Sequence, residues 1–357
     1  MDSDLHPANT LLAFLRCASC RFAALYYVPF YAGLTQAGHG TMGLALLAAV
    51  FWIIYSLSIE VTNRITDRAE DAINRPERTG LCARVGWQRL RRLEIAGWSA
   101  VGVLDILWLY LNPNALLAVL LVGGLAFGIG YSRGPRLARS RYIGFVVLNL
   151  VFGGVFLLGW AAGASFTEPT GPPWHELAEF APLAVVVGLF VVTLAGIKDI
   201  TDRRGDLSVG YRSPFVDMLD RRQSMWLMGL AATPFVLICG FAVTGLLPLR
   251  LLALLAFAPL SALLVEAVLR ADNAQARLVV RELFYRYWFV FSSVALLTFI
   301  PQLALLYATA AALLYWVIAT RWLHWTQPVT LADIKRLVRT TTIRRSLRAA
   351  PPTPWRP

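Results

Sequence analysis

Two short acidic clusters stand out in an otherwise apolar chain. The first reads Asn63-Arg64-Ile65-Thr66-Asp67-Arg68-Ala69-Glu70-Asp71 and continues through Asn74-Arg75-Pro76. Asn63, Asp67 and Asp71 recur at i, i+4 and i+8, so on a helix they share one face. The second reads Lys198-Asp199-Ile200-Thr201-Asp202-Arg203-Arg204-Gly205-Asp206. Asp199, Asp202 and Asp206 recur at i, i+3 and i+7, again on one face. Aspartates gathered in this way repel one another, and hard cations with oxygen ligands offset that repulsion. Mg²⁺ takes one or two carboxylates and completes its octahedron with water and phosphate oxygens. An ion so held binds a diphosphate and stabilises the charge that develops as it leaves. The chemistry this suits is ionisation of a prenyl diphosphate at its allylic carbon–oxygen bond. Helix capping and mutual ion pairing at a membrane boundary would account for one such stripe. Two one-faced stripes favour the metal, because charges near hydrocarbon are costly and usually mark function.

The elements that must carry these stripes are apolar. Of 357 residues, 57% are hydrophobic and only 15% charged, which is the balance of a protein dissolved in a bilayer. Runs near the length needed to cross hydrocarbon fall at roughly 10–36, 41–62, 92–111, 114–131, 142–164, 177–198, 224–246, 250–269, 284–300 and 302–320. Their length and continuity fit helices and not barrel strands. The expected fold class is therefore all-α: a polytopic membrane bundle of about nine to ten transmembrane helices around a central cavity. The first run is long and carries Arg16 and Arg21, so it reads as a span and not as a removable signal. Cys17, Cys20, Cys82 and Cys239 are scattered and suggest neither a disulfide framework nor a zinc site.

The net charge of +12 does not point to nucleic acid, because the basic residues keep to alternate connections. They gather in 63–92, 132–141, 198–223, 270–286 and the tail from Arg321, and the other connections hold only Arg250. This is the positive-inside pattern of a chain with both termini in the cytoplasm. Both acidic clusters lie on that side, after the second and sixth spans. Their placement suggests two similar halves, spans 1–4 and 5–8, within one transmembrane domain over 1–325, followed by a basic cytoplasmic tail over 326–357. Ile334, Leu337, Val338, Ile343 and Leu347 alternate with arginines in that tail, which either lies on anionic lipid or only enforces topology.

At the two clusters the chain resembles the UbiA superfamily of membrane prenyltransferases. The family's first motif, NxxxDxxxD, stands here as Asn63/Asp67/Asp71, and its second, DxxDxxxD, as Asp199/Asp202/Asp206. Asp-Ala-Ile-Asn-Arg-Pro at 71–76 and Lys-Asp-Ile-x-Asp-x-x-Gly-Asp at 198–206 are similar to relatives that make chlorophylls, tocopherols and quinones. The likeness runs over roughly residues 10–300 and implies a nine-helix bundle, to which the tenth span is an addition. Two departures stand out. Many relatives have Asp directly after the motif Asn, where this chain has Arg64. The frequent Arg-Pro-x-x-Ser-Gly stretch appears here as Glu77-Arg78-Thr79-Gly80-Leu81-Cys82. Tyr131-Ser132, followed by Arg133, resembles a family segment near the substrate, although an interfacial tyrosine would read the same way. Arg21 matches a basic position of relatives that could contact phosphate, and it could equally snorkel or pair.

The resemblance implies a Mg²⁺-dependent transferase. Asn63, Asp67, Asp71, Asp199, Asp202 and Asp206 would hold Mg²⁺ and the isoprenoid diphosphate, with Lys198, Arg75 or Arg133 stabilising the departing group. A hydrophobic acceptor, aromatic or quinone-like, then captures the allylic cation in a cavity lined by side chains such as Trp52, Tyr55, Phe127 and Phe145, which keep water away. The alternative within the same site is a terpene cyclase, in which the prenyl chain's own double bond attacks. A transporter would place its acidic residues nearer the bilayer midplane, and complete metal motifs argue against a non-catalytic subunit. The expected location is the plasma membrane, with the site near its cytoplasmic side. No segment points to an obligate protein partner.

Overall fold

The computed structural model describes residues 7–134, 143–164, 174–210, 221–271, 273–326, 329–335 and 339; for 7–9, 143–150, 193–196, 198–200, 221–224 and 274 it describes the backbone alone. The protein is all-α: no strand occurs among the described residues. Each of the ten apolar runs is helical. The helices are α1 (Pro7–Ala18), α2 (Ala23–Gln36), α3 (Met42–Thr66), α4 (Arg68–Asn74), α5 (Pro76–Val85), α6 (Trp87–Leu111), α7 (Ala115–Ser132), α8 (Ile143–Gly163), α9 (Trp174–Ser208), α10 (Arg221–Val243), α11 (Ala258–Arg270), α12 (Ala274–Phe299) and α13 (Leu303–Trp322). A 3₁₀ segment, Leu249–Phe257, leads into α11.

Seven of these stretches are long and apolar enough to cross a membrane, and the bent pair Thr10–Ala18 and Cys20–Gln36 makes an eighth. Of the other two expected crossings, α8 is a 21-residue apolar helix, Ile143–Gly163, whose side chains are described from Val151 on, and α12 carries Arg277, Arg281, Glu282 and Arg286 in its first half. The protein is nonetheless an integral membrane protein by the length and hydropathy of its helices.

The chain forms two compact units, residues 1–181 with 300–327 and residues 182–299 with 328–357, and the boundary falls inside α9 at Pro182. In the first unit α2 and α8 cross so closely that only glycine fits at the contact. A Cβ on Gly159 would strike the backbone of Phe30, and one on Gly33 would strike the backbone of Phe156 and Trp160. Small residues at such crossings let helix backbones approach where no hydrophobic driving force separates protein from lipid. The first span breaks at Ser19, which adopts a left-handed φ of 50°, and a 3₁₀ turn follows in which the Cys20 carbonyl accepts from the Ala23 N–H. Tyr315 of α13 donates its hydroxyl to that carbonyl at 2.8 Å, so the tenth run closes the gap in the first.

The second unit is built around aromatic rings. Phe190 of α9 stacks on Phe291 of α12 with centroids 3.8 Å apart, and Phe235 and Phe257 meet Phe291 edge-on. Arg250 donates to the carbonyls of Thr298 (2.6 Å) and Phe299 (3.0 Å), capping the end of α12. A groove of about 270 Å³ between α10 and α11 is lined by Met228, Ala231, Phe235, Cys239, Leu255 and Ser261.

Candidate active site

The first motif sits where α3 ends. Helical hydrogen bonding continues through it: Asp67 N–H donates to Asn63 O at 2.9 Å, Asp71 N–H to Asp67 O at 2.8 Å, and Arg75 N–H to Asp71 O at 2.8 Å. The register is therefore the i, i+4, i+8 of the sequence, but the axis breaks at Asp67, whose φ and ψ are −99° and 23°. Asn63 and Asp67 are half-buried. The Asn63 side-chain oxygen accepts from Ser132 Oγ at the end of α7, and Thr66 Oγ1 lies 3.4 Å from Asp67 Oδ1.

Asp71 faces a different environment. Arg64 Nη1 lies 3.0 Å from its Oδ2, Arg75 Nη1 lies 3.8 Å from its Oδ1, and Arg78 Nη2 also bonds Oδ1. Arg64 pairs in addition with Glu60 one turn earlier. Burial acts to raise the Asp71 pKa, but the Arg78, Arg64 and Arg75 charges outweigh it and hold the carboxyl well below the usual carboxylate range. Arg78, itself buried and crowded by Arg64 and Arg75, is brought down to about 9. Its guanidinium lies over the Trp325 ring, 5.5 Å from the centroid.

The end of α7 is clasped to α3 through α6. Arg133 Nη2 donates to Glu94 Oε2 at 2.7 Å, Thr62 Oγ1 donates to Glu94 Oε1 at 3.0 Å, and Trp98 Nε1 donates to Thr62 Oγ1 at 3.0 Å. Glu94 is buried, whereas 40% of the Arg133 side chain is exposed. Tyr131 is half-buried, its ring 5.8 Å from Phe127. Arg21 is buried at 1% exposure, its guanidinium 5.1 Å from the centre of Phe22 and 5.3 Å from that of Trp316. Trp52 and Tyr55 stand in a continuous ring cluster with Tyr26, Phe30, Phe51 and Trp98. The Phe145 side chain lies outside the described residues.

The second motif lies on the unbroken final turns of α9. Asp202 is buried, with Oδ1 3.5 Å from Arg281 Nη1 of α12, and Asp206 is half-buried. The side chains of Lys198 and Asp199 lie outside the described residues. Among the described residues, no three His, Cys, Asp or Glu side chains converge to hold a metal alone. Within each motif the donors are of the kind Mg²⁺ takes, Asn63 and Asp67 in the first and Asp202 and Asp206 in the second, since Mg²⁺ uses few carboxylates and fills its shell with water and phosphate oxygens. Sequence reasoning did not single out Glu60, Arg78, Glu94 or Arg281 as partners. Glu94 had left one signal, an acid at the head of the third apolar run.

The sequence profile of the UbiA prenyltransferase family matches residues 26–289, a stretch that contains both motifs. The chain belongs to this family. Solved structures share the UbiA fold. One, from work on digeranylgeranylglyceryl phosphate synthase in membranes, is 18% identical with a TM-score of 0.54, covering 85% of this chain and 99% of its own. A UbiA homologue from Archaeoglobus fulgidus bound to GPP and Mg²⁺ is 13% identical with a TM-score of 0.51, covering 79% and 99%. The same homologue bound to DMAPP and Mg²⁺ is 15% identical with a TM-score of 0.50, covering 80% and 99%. No curated protein sequence matches the chain.

Proposed function

We propose that this UbiA-family protein is a Mg²⁺-dependent prenyltransferase that ionises an isoprenoid diphosphate and passes the prenyl group to a hydrophobic acceptor, aromatic or quinone-like. The observation that carries the reading is the pair of aspartate motifs, each at the end of an apolar helix, in a chain matched by the family over both. Relatives of the same fold bind GPP or DMAPP together with Mg²⁺, and the same ligand class is assigned to this chain. When bound, Mg²⁺ supplies positive charge to the departing diphosphate. Asn63 and Asp67 from the first motif and Asp199, Asp202 and Asp206 from the second are the oxygen donors that would hold it. Ser132 orients Asn63, the partly exposed Arg133 offers its charge to phosphate oxygens, and Lys198 adds a further charge. The apolar helices exclude water that would otherwise quench an allylic cation. The site faces the cytoplasm at the plasma membrane, with both termini and the basic tail over 326–357 on that side.

The test is diphosphate release from a series of prenyl diphosphates by purified protein with Mg²⁺, with and without aromatic acceptors, beside Asp67→Ala and Asp199→Ala. Release that needs an acceptor and vanishes in both variants is the expected result. Acceptor-independent release with a cyclic product makes the protein a cyclase, and no release from folded protein sinks the reading.

A further inference from the structure

The motif's third position does not meet the surroundings that its first two do. Both Asp71 carboxylate oxygens are engaged: Oδ2 by Arg64 at 3.0 Å, and Oδ1 by Arg78 and by Arg75 at 3.8 Å. The side chains involved are nearly sealed, at 5% exposure for Arg64, 4% for Arg78 and 11% each for Arg75 and Asp71. Among the described residues, and counting Glu60, three guanidiniums meet two carboxylates here, so a divalent cation would have to compete with guanidiniums already on both Asp71 oxygens in a poorly solvated place. Arg64, seven positions before Asp71 and next to the motif's Asn63, is the cation that claims Oδ2. The three arginines come from the last turn of α3, the end of α4 and the first turn of α5. Joined on Asp71, they bind these three helices together around the break at Asp67.

We propose that Asp71 in this protein is a positioning residue, the hub of a three-arginine clamp that fixes Asp67 and the α4–α5 arm, and that the first motif binds metal through Asn63 and Asp67 without it. The proposal rests on the prenyl diphosphate reading of the site, and the experiment separates the two. Mn²⁺ binding to the full-length protein in detergent is followed by electron paramagnetic resonance, with a prenyl thiolodiphosphate present that resists ionisation. Asp67→Asn is expected to weaken Mn²⁺ binding about tenfold or more, whereas Asp71→Asn and Asp71→Glu stay within about twofold of the parent protein. In turnover, Asp71→Asn raises the KM for the prenyl diphosphate about tenfold with the Mg²⁺ half-saturation unmoved, and Asp71→Glu, which keeps the charge the arginines need, restores most of it. Asp71→Glu alone carries the test if Asp71→Asn does not fold, because its carboxylate is displaced by one methylene. Loss of Mn²⁺ affinity in Asp71→Glu comparable to that in Asp67→Asn overturns the proposal. Absence of Mn²⁺ binding by the parent protein overturns the metal-dependent reading itself.

Discussion

Arg133 and Glu94 lie 39 residues apart in sequence, and Arg133 Nη2 stands 2.7 Å from Glu94 Oε2. The contact joins the end of α7 to the first turns of α6, and Glu94 passes it on to Thr62 of α3 at 3.0 Å. Glu94 thus aims a cation beside Asn63. Replacing Glu94 by Gln keeps the shape and removes the charge. The expected stability loss is about 1–2 kcal/mol, because Arg133 can turn to water while Thr62 keeps an acceptor. The expected rise in KM for a prenyl diphosphate is roughly fivefold with kcat little changed. Thermal unfolding and initial rates measure the two effects separately.

The crossing of α2 and α8 leaves no room for a methyl group. Gly159→Ala pushes its Cβ into the Phe30 backbone, and backbone, unlike a long side chain, cannot move aside cheaply. A loss of about 2–3 kcal/mol or more is expected, seen as a lower Tm in detergent. Gly43→Ala, where the added Cβ meets open space, is the control and should leave Tm near that of the parent.

Tyr315→Phe removes the side-chain donor to the Cys20 carbonyl at the break in the first span. The carbonyl keeps its Ala23 N–H donor, so the expected cost is that of one net hydrogen bond, about 0.5–1.5 kcal/mol. An unchanged Tm would show that the tenth helix is not needed at the break.

Acid should reveal the clamp on Asp71. Its folded pKa is depressed from 3.8, chiefly by Arg78, Arg64 and Arg75 acting against burial. A depressed carboxylate contributes stability that is present above its unfolded pKa and is lost as pH falls through the folded value. The Tm gap between the parent protein and Asp71→Asn should therefore stay constant down to about pH 5 and narrow only below about pH 4. A gap that narrows already near neutrality would mean that the carboxyl is not held by the arginines.

Chelation of divalent cations, or Asp67→Ala, should reduce diphosphate release by at least about 100-fold, since both remove charge stabilisation of the leaving group. Restoring Mg²⁺ should recover the chelated protein and not the variant.

Much of this protein is written in local sequence. Hydropathy alone marks ten helices, because a bilayer demands long apolar segments whose backbone groups pair internally, and motif spacing alone puts Asn63, Asp67 and Asp71, and likewise Asp199, Asp202 and Asp206, at helical intervals. Periodicity also placed Asp71 on the same face as Asp67, and the backbone hydrogen bonds keep that register. What spacing could not supply was the company that each side chain keeps. The Asp71 carboxylate turns to Arg64 and Arg78 because the chain breaks at Asp67 and folds α5 back toward α3, a consequence of packing between helices and not of any single helix. The pairing of Glu94 with Arg133 and of Tyr315 with the Cys20 carbonyl likewise joins segments far apart in sequence. Local composition decides which segments enter the membrane and which carboxylates are available. Only the tertiary arrangement decides which charges neutralise one another, because Coulomb and hydrogen-bond energies depend on distances of a few ångströms that sequence separation does not determine.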